Sequence, residues 1–193
     1  MQRIEKDLPI LSHTTAQAWN AWLVEQHAVS NGVWLRLYRK NSDTKTISYA
    51  EALDEALCFG WIDGQKNKYD EESWLQYFTP RRPKSMWSKG NTVHVERLIK
   101  ENRMQPAGLR EVEAAKVDGR WDAAYDSPKD MTVPVDFLQE LQKDQRAYAF
   151  FKTLNKANTY AIAWRLRTAK KPETLEKRTK MILAMLARGE KFH

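Results

Sequence analysis

The sequence predicts an α+β fold: a small, mostly antiparallel sheet with helices packed on it, followed by an all-helical C-terminal segment. Three observations carry that prediction. Runs rich in β-branched and aromatic residues at 33–39, 61–69 and 74–79 alternate with helical patterns in the first two-thirds of the chain. Beyond residue 133 only helical spacing remains. A chain of 193 residues with 42% hydrophobic, 11% aromatic and 30% charged residues also has the composition of a folded protein that buries a substantial core.

The elements follow in order. Leu8-Pro9-Ile10-Leu11 reads as a short edge strand, where proline is tolerated. Thr14-x-x-Gln17 reads as a capping box that opens a helix to about His27, with Trp19, Trp22 and Leu23 at helical spacing. Asn31-Gly32 turns the chain into a strand in which Val33, Leu35 and Leu37 alternate with Trp34, Arg36 and Tyr38, so that its second face is partly covered. After a polar loop, Ser48-x-x-Glu51 is a second capping box; Tyr49, Leu53, Ala56 and Leu57 trace the inward face of its helix, and Gly60 ends it. The next two strands, joined at Asp70-Glu71-Glu72-Ser73, form an antiparallel hairpin. One helix starts near Ser88 with Val95, Leu98 and Ile99 inward, and another at Pro106 with Leu109 and Val112 inward. Turn chemistry without periodicity over 118–133 divides the chain into an α+β unit (1–120), a linker (121–133) and a helical segment (134–193). That segment holds helices near 134–142, 144–154 and 156–169. A last one begins at Pro172, turns Leu175, Ile182, Leu183 and Leu186 inward and stops at Gly189.

Charge and cysteine usage exclude several classes. The net charge is +7, but residues 152–193 alone carry 11 basic and 3 acidic groups, and 101–151 carry 7 and 10. A basic final segment with Arg165, Arg167, Lys170, Lys171, Lys177, Arg178 and Lys180 is a possible nucleic-acid or acidic-protein contact. The acidic middle favours self-complementing surfaces over a nucleic-acid platform, which would interleave its cations with stacking aromatics. A single Cys58 excludes an intramolecular disulfide framework and fits a reducing compartment. The charged N-terminal residues and the absence of a long apolar run read as no export signal and no membrane span, hence a cytoplasmic location. His13, His27, His94 and His193 are dispersed without ligand spacing, so neither a metal nor a cofactor is expected. Cys58 lies one turn from a helix end without a visible activating neighbour, and reads as packing.

Chemistry concentrates between Cys58 and Asn91. Trp61, Asp63, Gln65, Arg81, Arg82, Trp87, Ser88 and Asn91 form the candidate ligand-binding set. Arg81 and Arg82 precede a helix whose first turn holds Ser88 and Asn91, so guanidinium groups and helix amides would together hold an anion between aromatic walls. An enzyme built on the same pocket would use Asp63 as acid or base. The alternative is structural: the tryptophans are packing, Asp63 pairs with Arg81 or Arg82, and Ser88 is only a helix cap.

Four strings carry a family resemblance. Glu55-Ala56-Leu57-Cys58-Phe59-Gly60-Trp61-Ile62-Asp63-Gly64, Phe78-Thr79-Pro80-Arg81-Arg82-Pro83-Lys84-Ser85-x-Trp87-Ser88, Asp118-Gly119-Arg120-Trp121-Asp122-Ala123-Ala124-Tyr125 and Ala169-Lys170-x-Pro172-Glu173-Thr174 resemble the bacterial YdeI/OmpD-associated family, whose members often bear the name bacteriocin-protection protein. Leu175 departs from the basic residue expected after Pro-Glu-Thr, and Asn41-Ser42-Asp43-Thr44 replaces a glycine-richer loop. The resemblance implies no catalytic residue or cofactor. Its name implies a link to outer-membrane porins and antimicrobial-peptide tolerance, against which a +7 chain would not sequester cationic peptides by charge attraction.

Overall fold

A computed structural model describes residues 8–126 and 131–192. Its α+β fold holds eight helices and one four-stranded mixed sheet among those residues, and the chain divides between Ala124 and Tyr125 into two compact units.

The first unit contains β1 (Ile10–Leu11), α1 (Ala16–Gln26), β2 (Val33–Tyr38), α2 (Tyr49–Cys58), β3 (Trp61–Lys68), β4 (Ser73–Pro80), α3 (Lys89–Lys100) and α4 (Pro106–Val117). The strand order is β1-β2-β4-β3. β1 runs parallel to β2, which needs a crossover, and α1 supplies it; β2–β4 and β3–β4 are antiparallel. Val33, Leu35 and Leu37 of β2 and Phe78 of β4 face a core shared with Trp19 and Leu23 of α1 and Leu53, Ala56 and Leu57 of α2. Trp19 is fully buried and donates its indole N–H to the Ala52 carbonyl at 3.1 Å, so this core indole is satisfied.

Helix starts obey capping chemistry. Ser48 and Glu51 form the expected reciprocal box on α2. On α1 the cap is Thr15, whose Oγ1 accepts from Ala18 N–H at 3.2 Å, one residue beyond the expected Thr14. Gly60, at φ +76°, ends α2 in the left-handed conformation that glycine adopts without a Cβ penalty. Three side chains expected inward are exposed instead: Tyr49, Ile99 and Leu109. On α4 the buried stripe is Gly108, Val112 and Ala115, so small residues set the close side of that helix.

The second unit holds α5 (Val135–Leu141), α6 (Gln145–Lys152), α7 (Lys156–Arg167) and α8 (Pro172–Ala187). Its core includes Phe137, Leu141, Ile162, Leu166, Ile182 and Leu186. Leu175, expected inward, is exposed because it lies on the first turn of α8 before the buried stripe begins. The stretch expected as a linker is packed at both ends: Trp121 joins the first core, and Met131 and Val133 are buried in the second. Residues 127–130 of that stretch lie outside the described residues.

Candidate functional site

Strand parity separates two faces of the sheet. The register pairs Trp34 with Tyr77 and Ile62 with Thr79, so these four side chains share the face opposite Val33, Leu35 and Phe78. Between Asp63 and Lys66 the β3–β4 pairing slips, and Gly64 and Gln65 together oppose Tyr77 as a bulge. Gln76, buried, donates from Nε2 to the carbonyls of Gly64 (3.0 Å) and Gln65 (3.3 Å), which satisfies the oxygens the bulge takes out of the ladder.

The bulge and a turn glycine make room for one ring. A Cβ on Gly32 would lie 2.6 Å from the Tyr77 hydroxyl, and one on Gly64 would lie 2.8 Å from its ring carbon Cδ1. Tyr77 therefore lies between two glycines, with its ring centroid 5.1 Å from that of Trp34 and the planes at 40°. These rings line a groove of about 560 Å³ together with Ile62, Gly64, Pro80 and the polar Gln65, Thr79, Arg82 and Ser85. Trp34 is only 2% exposed, and its indole N–H is buried without a hydrogen-bond partner among the described residues. Leaving such a donor unmatched costs about 1–3 kcal/mol.

The eight residues singled out in the sequence do not converge on one cavity. Gln65 and Arg82 line the groove. Trp61 is 1% exposed and donates its indole N–H to the His27 carbonyl at 3.0 Å, so it is core and not a pocket wall. Asp63 shares the helix-covered face with Phe78 and makes no ion pair with Arg81 or Arg82; it accepts the Tyr49 hydroxyl at 2.7 Å. Although Tyr49 as a whole is exposed, desolvation of its hydroxyl, then that hydrogen bond, holds it above its ordinary pKa. Arg81 is buried, its guanidinium 3.5 Å from the Trp87 ring centroid and its Nη1 donating to the Met86 carbonyl at 3.4 Å. Ser88 caps α3 by accepting from Asn91 N–H at 3.2 Å, and that amide is what the pair contributes.

Two of the quoted motifs meet in space. Trp121 packs on Trp87 with centroids 5.0 Å apart. Arg120, buried, pairs with Asp118 at 2.7 Å and donates from Nη1 to the Ser85 carbonyl at 2.9 Å. The segment after β4 is thus clamped by the segment after α4, which holds Arg82 and Ser85 at the groove. Trp34, Tyr77, Ile62, Thr79 and Ser85 line the groove but are not among the eight. The signal for Trp34 was its place on the second face of β2, but its aromatic partner follows only from strand register.

Elsewhere, Cys58 is buried, and burial followed by the charge of Glu55 pushes its thiol pKa up to about 12. In the second unit Arg167 bonds the Thr132 carbonyl at 2.8 Å and Arg178 the Arg165 carbonyl at 2.7 Å. Arg165 bonds the Ala161 carbonyl at 3.0 Å and Lys180 pairs with Glu176 at 2.6 Å. Lys170, Lys171 and Lys177 are exposed. No helix among the described residues is long and apolar enough to cross a membrane.

A sheet with helices on one face and an aromatic groove on the other, followed by a helical unit, defines a two-unit α+β protein. Residues 130–189 match the family described as Bacteriocin-protection, YdeI or OmpD-Associated, the one its motifs resemble. With residues 11–111, more than half of its length, matching the Domain of unknown function (DUF8412), the chain belongs to that domain family and carries a YdeI/OmpD-associated domain after it. The first two of the four resembling strings fall in the stretch matched by the former. No curated protein and no solved structure gives a significant match.

Proposed function

We propose that the first unit is a binding protein for a small ligand with a planar apolar or aromatic body and an anionic group, seated in the groove on the second face of the sheet. The observation that carries this reading is the Trp34–Tyr77 floor. Two glycines and a bulge leave space for a tyrosine ring to lie beside a buried tryptophan whose N–H has no partner. Aromatic walls with a few polar groups are the composition of small-molecule sites, and an exposed arginine at the rim matches a carboxylate or phosphate. The description of the second unit's family adds antimicrobial-peptide tolerance as a setting for such binding.

The test is a thermal-shift screen of the full chain against aromatic carboxylates, nucleotides and simple phosphates, repeated with Arg82→Ala. Arg82 is exposed, so the substitution should change apo stability by no more than about 0.5 kcal/mol. A compound that raises the melting temperature of the parent protein should lose that effect in the variant, and the variant should lose protection in a peptide-survival assay. Equal shifts in both proteins would sink the assignment of the groove.

A further inference from the structure

β2 carries Trp34 near its start and Tyr38 at its end, and a second cleft, of about 580 Å³, lies at the Tyr38 end. Three elements converge there: the start of α1 (its cap Thr15 and Ala16), the start of α2 (its cap Ser48 and Tyr49) and the β2–α2 loop, which brings Arg39, Lys40 and Lys45. The aromatic wall is Tyr38 and Trp74, whose indole nitrogen is buried with no partner among the described residues.

The cleft is lined by three cations and one carboxylate. Arg39, Lys40 and Lys45 are exposed and make no side-chain hydrogen bond or ion pair among the described residues. Arg39 acts on Glu71 only at a distance, after Lys68, in holding that carboxyl below its usual range. One carboxylate lines the cleft, Glu51, and it is engaged: it accepts the Ser48 amide at 2.9 Å and the Ser48 hydroxyl at 2.7 Å. Asp43 lies in the same loop but not among the cleft-lining residues, and Glu72, just before β4, accepts the Ser42 hydroxyl at 3.3 Å. Caps serve the third amide of each helix, Ala18 and Glu51, so the amides of Ala16 and Gln17 and of Tyr49 and Ala50 keep no partner within the described residues. Each helix start adds roughly half a positive charge. Three cations and two helix starts line the cavity, and the one carboxylate that lines it is held by Ser48.

We propose that this cleft binds a phosphorylated small molecule bearing more than one anionic group. A single orthophosphate would fill little of the volume, whereas a diphosphate reaches both helix starts and the loop cations, with the aromatic wall left for the body it is attached to. The site is separate from the groove, shares no lining residue with it, and stands whether or not the groove binds anything.

Pyrophosphate is the probe, titrated into the full chain at low ionic strength by calorimetry and by amide NMR. The parent protein should bind, with shifts centred on Ala16, Gln17, Tyr49 and Ala50. K40A/K45A should bind at least tenfold more weakly, since each lost charge-assisted contact is worth roughly a factor of ten. K170A/K171A removes the same charge from exposed positions of the second unit and should bind as the parent does; Arg82→Ala should as well. The proposal is overturned if the parent shows no binding at millimolar pyrophosphate, if the two double variants lose affinity equally, or if the amide shifts lie elsewhere.

Discussion

Gly108→Ala sets two physical rules against each other with opposite signs. Gly108 is the third residue of α4, and helix propensity alone predicts that alanine there stabilises by up to about 1 kcal/mol. Packing predicts the reverse. An added Cβ would lie 2.3 Å from the Cys58 carbonyl oxygen, 2.8 Å from Met104 Cε and 2.9 Å from the Cys58 carbonyl carbon. Met104 can swing away, but Cys58 O is backbone at the end of α2 and also accepts the Gln105 amide at 3.0 Å. Reaching ordinary contact means opening α2 from α4 by about 1 Å, an overpacking cost of about 1–3 kcal/mol, and it strains a hydrogen bond worth about 1 kcal/mol. The net is a loss of about 2 kcal/mol, or roughly 4–8 °C in melting temperature for a chain of this length. Gly90→Ala is the control, because a Cβ there meets only Ser88 Oγ at 3.8 Å, and alanine should hold or raise stability. Calorimetry or circular dichroism melting of both variants decides it. A Gly108→Ala protein as stable as the parent, or more so, would refute the close α2–α4 approach.

Two further outcomes follow from the same unit. With burial pushing its thiol up to about 12, Cys58 should not react with a disulfide reagent at neutral pH in the native protein, and should react fully once denatured; rapid native labelling would contradict its burial. The Ser48 hydroxyl, then the Ser48 amide, lowers the Glu51 pKa, so this contribution is present above the ordinary glutamate value of 4.5 and is lost as pH falls through the lower folded value. Ser48→Ala should cost about 1 kcal/mol at neutral pH and flatten that acid-side decline; an unchanged pH profile in chemical denaturation would remove the box as its source.

Helix existence and type were legible because capping residues and apolar spacing are local. Ser48, Ser88, Pro106 and Pro172 each open a helix within a residue of where the sequence places it. Inward faces failed where the contact surface is set by distant chain. Leu109 was expected inward with Val112 on the helix that Pro106 starts, yet the facing element comes close to Gly108, where only a small residue fits, and Leu109 turns outward. The eight candidate residues are dispersed for a related reason. Reading 58–91 as one cluster ignored that successive strand residues point to opposite faces. Trp61 and Asp63 go to the helix side, and Gln65 reaches the other only because a bulge inserts a residue after Asp63. Arg81 and Arg82 part in the same way, one onto Trp87 and one onto the groove.

The same register explains the aromatic richness of the first unit. Trp19, Trp61 and Trp87 are core, and each of the first two needs a specific backbone carbonyl for its N–H, so their conservative replacement by phenylalanine removes a donor without stranding a charge. Trp34 differs in kind. It is as buried as they are, but it lies outside the helix-covered core, and its N–H, like that of Trp87, has no partner among the described residues. The indole N–H groups of Trp87 and Trp74 are likewise buried without a partner among the described residues, so what sets Trp34 apart is its place on the groove face beside a ring that two glycines accommodate, where the proposed ligand would give its N–H a partner.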